Sequence, residues 1–158
     1  MEKSPVTEYR YSILRISGKY FGVEVKNVRE VLLLPIITHV PNVHKSVMGV
    51  FNLRGHIQSV IDISNFLNLP ERKISEEDFV VIVELEGITL GILVEKVLDV
   101  MAVDANKIQI PTRDMPLSLI NYCSGFCSHK KLGDVFLLDL EMLFKAKEIR
   151  GYSFVLGV

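Results

Sequence analysis

The sequence predicts an all-β protein in which ten short strands, in two sets of five, form two small barrels packed around a shared core, with short helices. Three observations predict it. The chain repeats itself: residues 14–32 lie over residues 83–101 without a gap, so that Gly18 falls on Gly87, Gly22 on Gly91, Val25 on Val94, Val28 on Val97, Val31 on Val100 and Glu30 on Asp99. A second register repeats as well, with Gly49 on Gly125 and Val60-Ile61-Asp62-Ile63 on Leu137-Leu138-Asp139-Leu140, one residue being inserted between. Each copy, a unit of roughly 70 residues, is built of short β-friendly runs separated by Gly, Pro and charged turns. Two copies are too few for a solenoid, which needs about three or more repeats. Two similar subdomains packed together leave a groove at their joint, and closing each set of strands removes exposed sheet edges.

Taken in order, residues 11–16 alternate loosely and read as a first strand. Ser17-Gly18-Lys19 turns the chain into a second strand over 20–25, giving a hairpin. Residues 26–30 fit one turn of helix, with Val25, Val28 and Val31 spaced by three. The third strand, 31–34, ends at Pro35, and residues 38–44 loop around Pro41. Strand four covers 47–53; Gly55 breaks it, and strand five covers 56–63. Residues 64–69 make a short helix stopped by Pro70. The charged stretch 71–78 has no apolar face and reads as the linker between units.

The second unit repeats the plan. A hairpin of 79–85 and 89–94 turns at Glu86-Gly87, followed by a helical turn at 96–99 and a strand over 100–103. A long loop over 107–119 holds Pro111 and Pro116. Strands over 122–128 and 135–139 then precede a terminal helix over 141–148, with Leu140, Leu143 and Phe144 on one face.

Composition narrows the function classes. The 158 residues make one domain or two small ones, and 49 % apolar residues can bury a sizeable core. A formal net charge of −1 gives no bulk attraction to nucleic acid or anionic lipid. Met1-Glu2-Lys3-Ser4-Pro5 lacks the hydrophobic region of a signal peptide, and runs such as 31–34 and 79–83 are too short for membrane insertion. Two cysteines make no disulfide framework. A soluble cytoplasmic protein is the expectation.

Catalytic motifs are missing: there is no Gly-rich phosphate loop, no Gly-x-Ser-x-Gly elbow and no His-Glu-x-x-His. Asp62 and Asp139, one per unit, match in number only the paired carboxylates of duplicated aspartic proteases, whose Asp is followed by Ser or Thr and Gly. Here Ile63-Ser64 and Leu140-Glu141 follow, so a turn-stabilising or helix-starting carboxylate is the reading. Cys123-x-x-x-Cys127-x-His129 is half a metal site without a second half. In a strand both thiols point the same way, as small hydrophobes. Arg54, between an apolar strand and Gly55, either ties a loop to a carboxylate or carbonyls, or serves an interface. The valines 25, 28 and 31 and their echo 94, 97 and 100 are either core or the floor of a groove for an amphipathic helix, being flanked by charge on both sides.

The ordered set Phe21-Gly22-Val23-Glu24-Val25, Val28-Arg29-Glu30-Val31, Thr38, Val40-Pro41, Gly49-Val50-Phe51-Asn52-Leu53-Arg54-Gly55, Val60-Ile61-Asp62-Ile63 and Leu90-Gly91-Ile92-Leu93-Val94-Glu95-Lys96-Val97 resembles the CheW-type chemotaxis coupling proteins. The resemblance runs over about residues 11–146. Gln58-Ser59 departs from it, because the family usually has Pro beside the Val that follows; the tail 151–158 lies outside it. It implies a single domain over 11–150, with SH3-like five-stranded barrels as subdomains at about 12–72 and 78–148, the latter able to include the N-terminal strand.

The resemblance further implies a non-enzymatic adaptor without cofactor or metal. Such an adaptor joins the cytoplasmic tip of methyl-accepting chemoreceptors to the regulatory domain of a chemotaxis histidine kinase, in the cytoplasm at membrane receptor arrays. By position, Val25, Val28, Val31, Val97 and Leu98 would line the receptor groove, with Glu30 at its rim. Ile37, Thr38, Val40, Pro41 and the strand bearing Gly49 would face the kinase, and Arg54 would support signalling. The second unit has Lys130-Lys131 where the first has Arg54-Gly55, so the halves differ in function. The alternative is a stand-alone SH3-like module binding a peptide or nucleic acid; nucleic acid would require a basic face with exposed aromatics, which this charge balance does not favour.

Overall fold

The computed structural model describes residues 7–149. The opening residues 1–5 and the tail 151–158 lie outside them. β1 (Glu8–Ile16) and β2 (Lys19–Glu24) form a hairpin, and a 3₁₀ turn over Val25–Asn27 leads into β3 (Val28–Leu33). β4 (Val47–Leu53) and β5 (His56–Ile61) form a second hairpin, β6 (Phe79–Leu85) and β7 (Ile88–Val94) a third. β8 (Lys96–Asp104) ends in a 3₁₀ turn, Ala105–Lys107. α1 (Leu117–Tyr122), β9 (Cys123–His129), β10 (Gly133–Leu138) and α2 (Leu140–Phe144) complete the order.

The strands make two mixed five-stranded sheets, β8-β1-β2-β10-β9 and β3-β6-β7-β5-β4. Each sheet takes strands from both halves: the β1–β2 hairpin lies between β8 and β10, and the β6–β7 hairpin between β3 and β5. The repeat is obeyed down to register. Gly22 lies opposite Leu137 in the parallel pair β2·β10, and Gly91 opposite Val60 in the parallel pair β7·β5.

Neither sheet closes into a barrel, which overturns the expected pair of SH3-like barrels. One sheet ends at β8 and β9, the other at β3 and β4. Beyond β3 and β8 the chain meets the far edge strand through a single isolated bridge each time, Thr38↔Val50 and Gln109↔Phe126. Prolines flank these bridges at Pro35, Pro41 and Pro111, and a residue without an N–H cannot extend a ladder.

Three local readings also change, one being the loop expected over 107–119, whose end forms α1 together with residues 120–122. Residues 96–99 continue β8 as strand, with Val97 opposite Leu14, where a helical turn was expected; valines three apart fit either form when a bulge intervenes. Residues 64–69 form hydrogen-bonded turns instead of a helix, with Asn68 at φ 54 and Leu67 N–H donating to Ile63 O at 3.0 Å.

The shared core joins both sheets and the helices: Leu14, Phe21, Ile61, Val81, Ile92 and Leu143 belong to one buried cluster. Each such side chain contributes about 1.5–3 kcal/mol through burial. A smaller cluster backs each sheet: Tyr11, Val103, Cys127, Val135 and Leu137 for one, Phe51, Val60, Val80, Ile82 and Leu93 for the other. Val103 and Cys127 come from opposite edge strands, so the sheet curls around its cluster while staying open. A register shift at Leu137/Leu138 sends Cys123 into the shared core and Cys127 into the outer cluster. The two thiols therefore lie on opposite faces, contrary to the reading from strand alternation alone.

Candidate functional site

Edge strands β3 and β8 begin against the shared core and run outward. Val28 lies opposite buried Val83, and Val97 opposite buried Leu14; both are half-buried and pack on the shared core. A one-residue bulge follows on each edge strand. Past it, Val31 (42 % exposed), Leu33 (65 %) and Val100 (54 %) reach solvent. Directly opposed residues of an antiparallel pair share a face. Val31 faces core residue Val81, Leu33 faces Phe79, and Val100 faces Ser12, two residues from core Leu14. Each edge thus carries an apolar strip from core to solvent, part core and part open surface. Val25 is also exposed, whereas its repeat Val94 is fully buried, so the echo breaks there. Leu98 is half-buried at the bulge of β8.

Glu30 lies opposite Ile82, on the face of the outer cluster. Arg54 and Gly55 form the β4–β5 turn with φ of 50 and 87, the positive pair that a tight hairpin turn uses. From there the Arg54 guanidinium donates to both Glu30 oxygens, Nη1 to Oε1 at 2.9 Å and Nη2 to Oε2 at 2.7 Å. The hydrogen bond from Arg54 holds the Glu30 carboxyl below its ordinary range against an opposing desolvation, with the charges of Arg54 and Arg29 adding to the lowering. The guanidinium pKa is raised in return. Arg29 adds an ion pair to Glu84 of β6 at 2.9 Å. β3 and β4 are opposite edges of one sheet, so Arg54–Glu30 spans its open side. Residues read from the sequence as belonging to separate sites, the groove rim and the signalling Arg, are in direct contact.

Ile37, Thr38 and Gly49 also come together. Thr38 and Val50 exchange backbone hydrogen bonds of 2.8 and 2.9 Å, and Ile37 packs on the outer cluster. Gly49 has φ 144, and a Cβ there would sit 2.1 Å from Thr38 O and 2.8 Å from Ile37 Cγ2. Val40 packs instead on the shared core, and Pro41 is exposed. In the other sheet Gly125 occupies the equivalent place, 2.6 Å from Ile108 Cγ2 on the same construction. A cavity of about 920 Å³ opens there between β8 and β9, lined among others by Asp99, the repeat of Glu30, and by Met101, Cys127, Lys130 and Lys131.

The remaining candidates are structural. Asp62 Oδ1 accepts from Ser64 N–H (3.0 Å) and Oγ–H (2.6 Å), and Asp139 Oδ1 caps α2 by accepting from Met142 N–H at 3.1 Å. Burial pushes the Cys123 thiol up to about 12, with Asp139 adding to it, and raises Cys127. His129 Nδ1 accepts from the backbone of Lys131 and Leu132. Among the described residues no cluster of His, Cys, Asp and Glu could hold a metal, and no helix is long and apolar enough to cross a membrane. Sequence reasoning passed over Leu33 and Ile36, the latter 95 % exposed. The signal was there, since a run of apolar residues on an edge strand must leave alternate ones outside.

Against known proteins, a family model described as the CheW-like domain matches residues 10–148. The chain is similar to the chemotaxis protein CheW of Bacillus subtilis, 33 % identical over 97 residues, a segment that covers 61 % of this chain and 62 % of the relative. It is similar to the chemotaxis protein CheW of Treponema pallidum at 23 % identity over 147 residues, covering 90 % of this chain and 86 % of that one. The solved structure of scaffolding protein TtCheW from Thermoanaerobacter tengcongensis shares the fold, with a TM-score of 0.78 over 90 % of this chain and 96 % of that one at 24 % identity.

Proposed function

We infer the function from one premise: this chain belongs to the CheW-like domain family, whose model spans residues 10–148. On that premise it is a non-enzymatic adaptor of chemotaxis signalling that couples chemoreceptors to a histidine kinase. Its receptor partner would be the helical cytoplasmic tip of a chemoreceptor, and its kinase partner the regulatory domain. It would work in the cytoplasm, recruited to receptor arrays.

The observation that carries the receptor assignment is the apolar strip on each edge, exposed Val25 and Val31 beside half-buried Val28 on one, and exposed Val100 beside half-buried Val97 and Leu98 on the other. A helix with one apolar face buries such a strip, while Glu30 at the rim meets polar residues. The kinase assignment rests on Ile37 and Thr38, which close-pack over buried Gly49, with Val40 and Pro41 continuing the segment. Arg54 would relay between them, because it grips Glu30 from the turn that follows the Gly49 strand. Two surfaces on one small protein turn the second binding step into a local one. The test is receptor-coupled autophosphorylation with purified receptor, kinase and this protein. Activation only when all three are present is expected; a protein that couples no kinase to any receptor returns the reading to a stand-alone binding module.

A further inference from the structure

Strand pairing in this chain runs between its halves. Among the described residues, apart from the isolated bridges Thr38↔Val50 and Gln109↔Phe126, the first half pairs with itself only as β1·β2 and β4·β5, and the second half only as β6·β7 and β9·β10. Strands β3 and β8 have no partner in their own half. The four pairings that build the sheets, β1·β8, β2·β10, β3·β6 and β5·β7, all cross from one half to the other. An isolated hairpin is marginal in water, so neither half makes a sheet by itself. The only covalent link between them is segment 62–78. Ile63 and Leu67 seat its first part in the shared core, where Ser118 Oγ donates to Leu67 O at 3.0 Å; beyond Pro70 it is held by polar contacts, Arg72 to Asp78 at 2.9 Å and Arg72 to Glu95 at 3.1 Å.

We propose that this chain forms an exchanged dimer with a second copy of itself, residues 7–61 of each copy pairing with residues 79–149 of the other. Both sheets and the shared core form intact in each lobe, Ile63 and Leu67 staying in the core beside their own first half, and only residues 70–77 change course. The tether favours the closed monomer, since a short flexible linker sets an effective concentration on the order of millimolar. The dimer therefore gains with protein concentration and after refolding. Resting on the adaptor reading, each receptor groove of the dimer draws Val28, Glu30 and Val31 from one copy and Val97 and Leu98 from the other.

Arg10 and Ala102 are exposed register partners on β1 and β8, across the divide. Full-length chains carrying Arg10→Cys or Ala102→Cys, with different tags, are unfolded together, refolded at high concentration and then oxidised; Cys123 and Cys127 stay in place because both are buried. A disulfide-linked heterodimer is expected, formed far less when folded chains are simply mixed. The two substitutions in one chain give the internal bond as a geometric control. An internal bond without any bond between chains overturns the proposal. A chain lacking residues 72–76 supplies a second readout by light scattering: a dimer is expected, and a folded monomer overturns exchange. No receptor or kinase enters either assay, so failure here is distinct from failure of the adaptor reading.

Discussion

Arg54 and Glu30 grip each other through two hydrogen bonds, 2.9 and 2.7 Å, across the open side of the β3-β6-β7-β5-β4 sheet. One end stands on the edge that carries the apolar strip, the other on the turn of the hairpin that holds Gly49. The Arg54 side chain is largely exposed and Glu30 half-buried, and ion pairs of this kind near the surface add little to folding. Arg54→Ala should melt close to wild type and lower receptor-dependent kinase activation in the three-component assay. Arg54→Lys should not restore it, because an ammonium cannot reproduce the two-point grip. Equal activation by wild type and Arg54→Ala would remove Arg54 from the signalling surface.

The valines on β3 separate two effects. Val28 packs on the shared core, so Val28→Asp should cost about 1–3 kcal/mol of stability as well as receptor affinity. Val31 is 42 % exposed, and Val31→Asp should stay within about 0.5 kcal/mol of wild type in denaturant melts. Its receptor binding should still fall well below its kinase binding in paired pull-downs. If Val31→Asp binds receptor like wild type, the strip is not the receptor groove.

Gly49 tests the other surface. At φ 144, with Thr38 O 2.1 Å from any Cβ, Gly49→Ala should destabilise by more than about 2 kcal/mol, disturbing the Thr38–Val50 bridge. Gly125→Ala should cost less, though not nothing: its φ is not positive, and a Cβ there would meet the Ile108 side chain at 2.6 Å and Gln109 O at 2.8 Å, against 2.1 Å to Thr38 O at Gly49. Circular dichroism melts of the two variants order them; a Gly49 variant as stable as the Gly125 variant contradicts the strain argument.

Alkaline pH should weaken the fold. Cys123 is pushed from 9.0 to about 12 and Tyr11 from 10.0 to about 12, mainly by burial in both cases. The folded chain keeps protons that the unfolded chain releases. Stability from these groups is whole below about pH 9 and drains away as pH climbs toward about 12. Urea midpoints measured between pH 8 and 11 should fall steadily, and a disulfide-exchange reagent should titrate both thiols only after unfolding. Rapid labelling of the folded protein at pH 8 would contradict the burial of Cys123.

Local strand identity was legible in the sequence, and strand partnership was not. The spans 47–53 and 79–85 match β4 and β6, because each is a run of apolar β-formers bounded by turn residues. The repeat marked Gly22 and Gly91 as equivalent, and they occupy matching places in the two sheets. But alternation says which residues share a face, never which strand lies alongside. Nothing in the sequence of β2 indicates that its neighbour is β10, more than a hundred residues on. Bulges escape for the same reason: one added residue, Ser124 on β9 opposite Leu137/Leu138, moved Cys127 to the face opposite Cys123. Of the candidate site, the repeat marked the valines and Gly49 as equivalent pairs, while the valines stayed open between core and groove and the kinase-facing place of Gly49 came from the family resemblance alone. The Arg54–Glu30 contact could not be read, since both residues lie on exposed edges where many opposite charges are available.

The interleaved pairing also fixes when folding can happen. As the chain leaves the ribosome, β1 to β5 emerge as two unsupported hairpins and a lone β3, with the residues of the future shared core still wet. The β3-β6-β7-β5-β4 sheet cannot assemble until β6 and β7 arrive, and the other waits for β8 and β10, the latter near the end of the described chain. Synthesis therefore presents a long window in which sticky strand edges are uncovered, and folding follows translation instead of accompanying it.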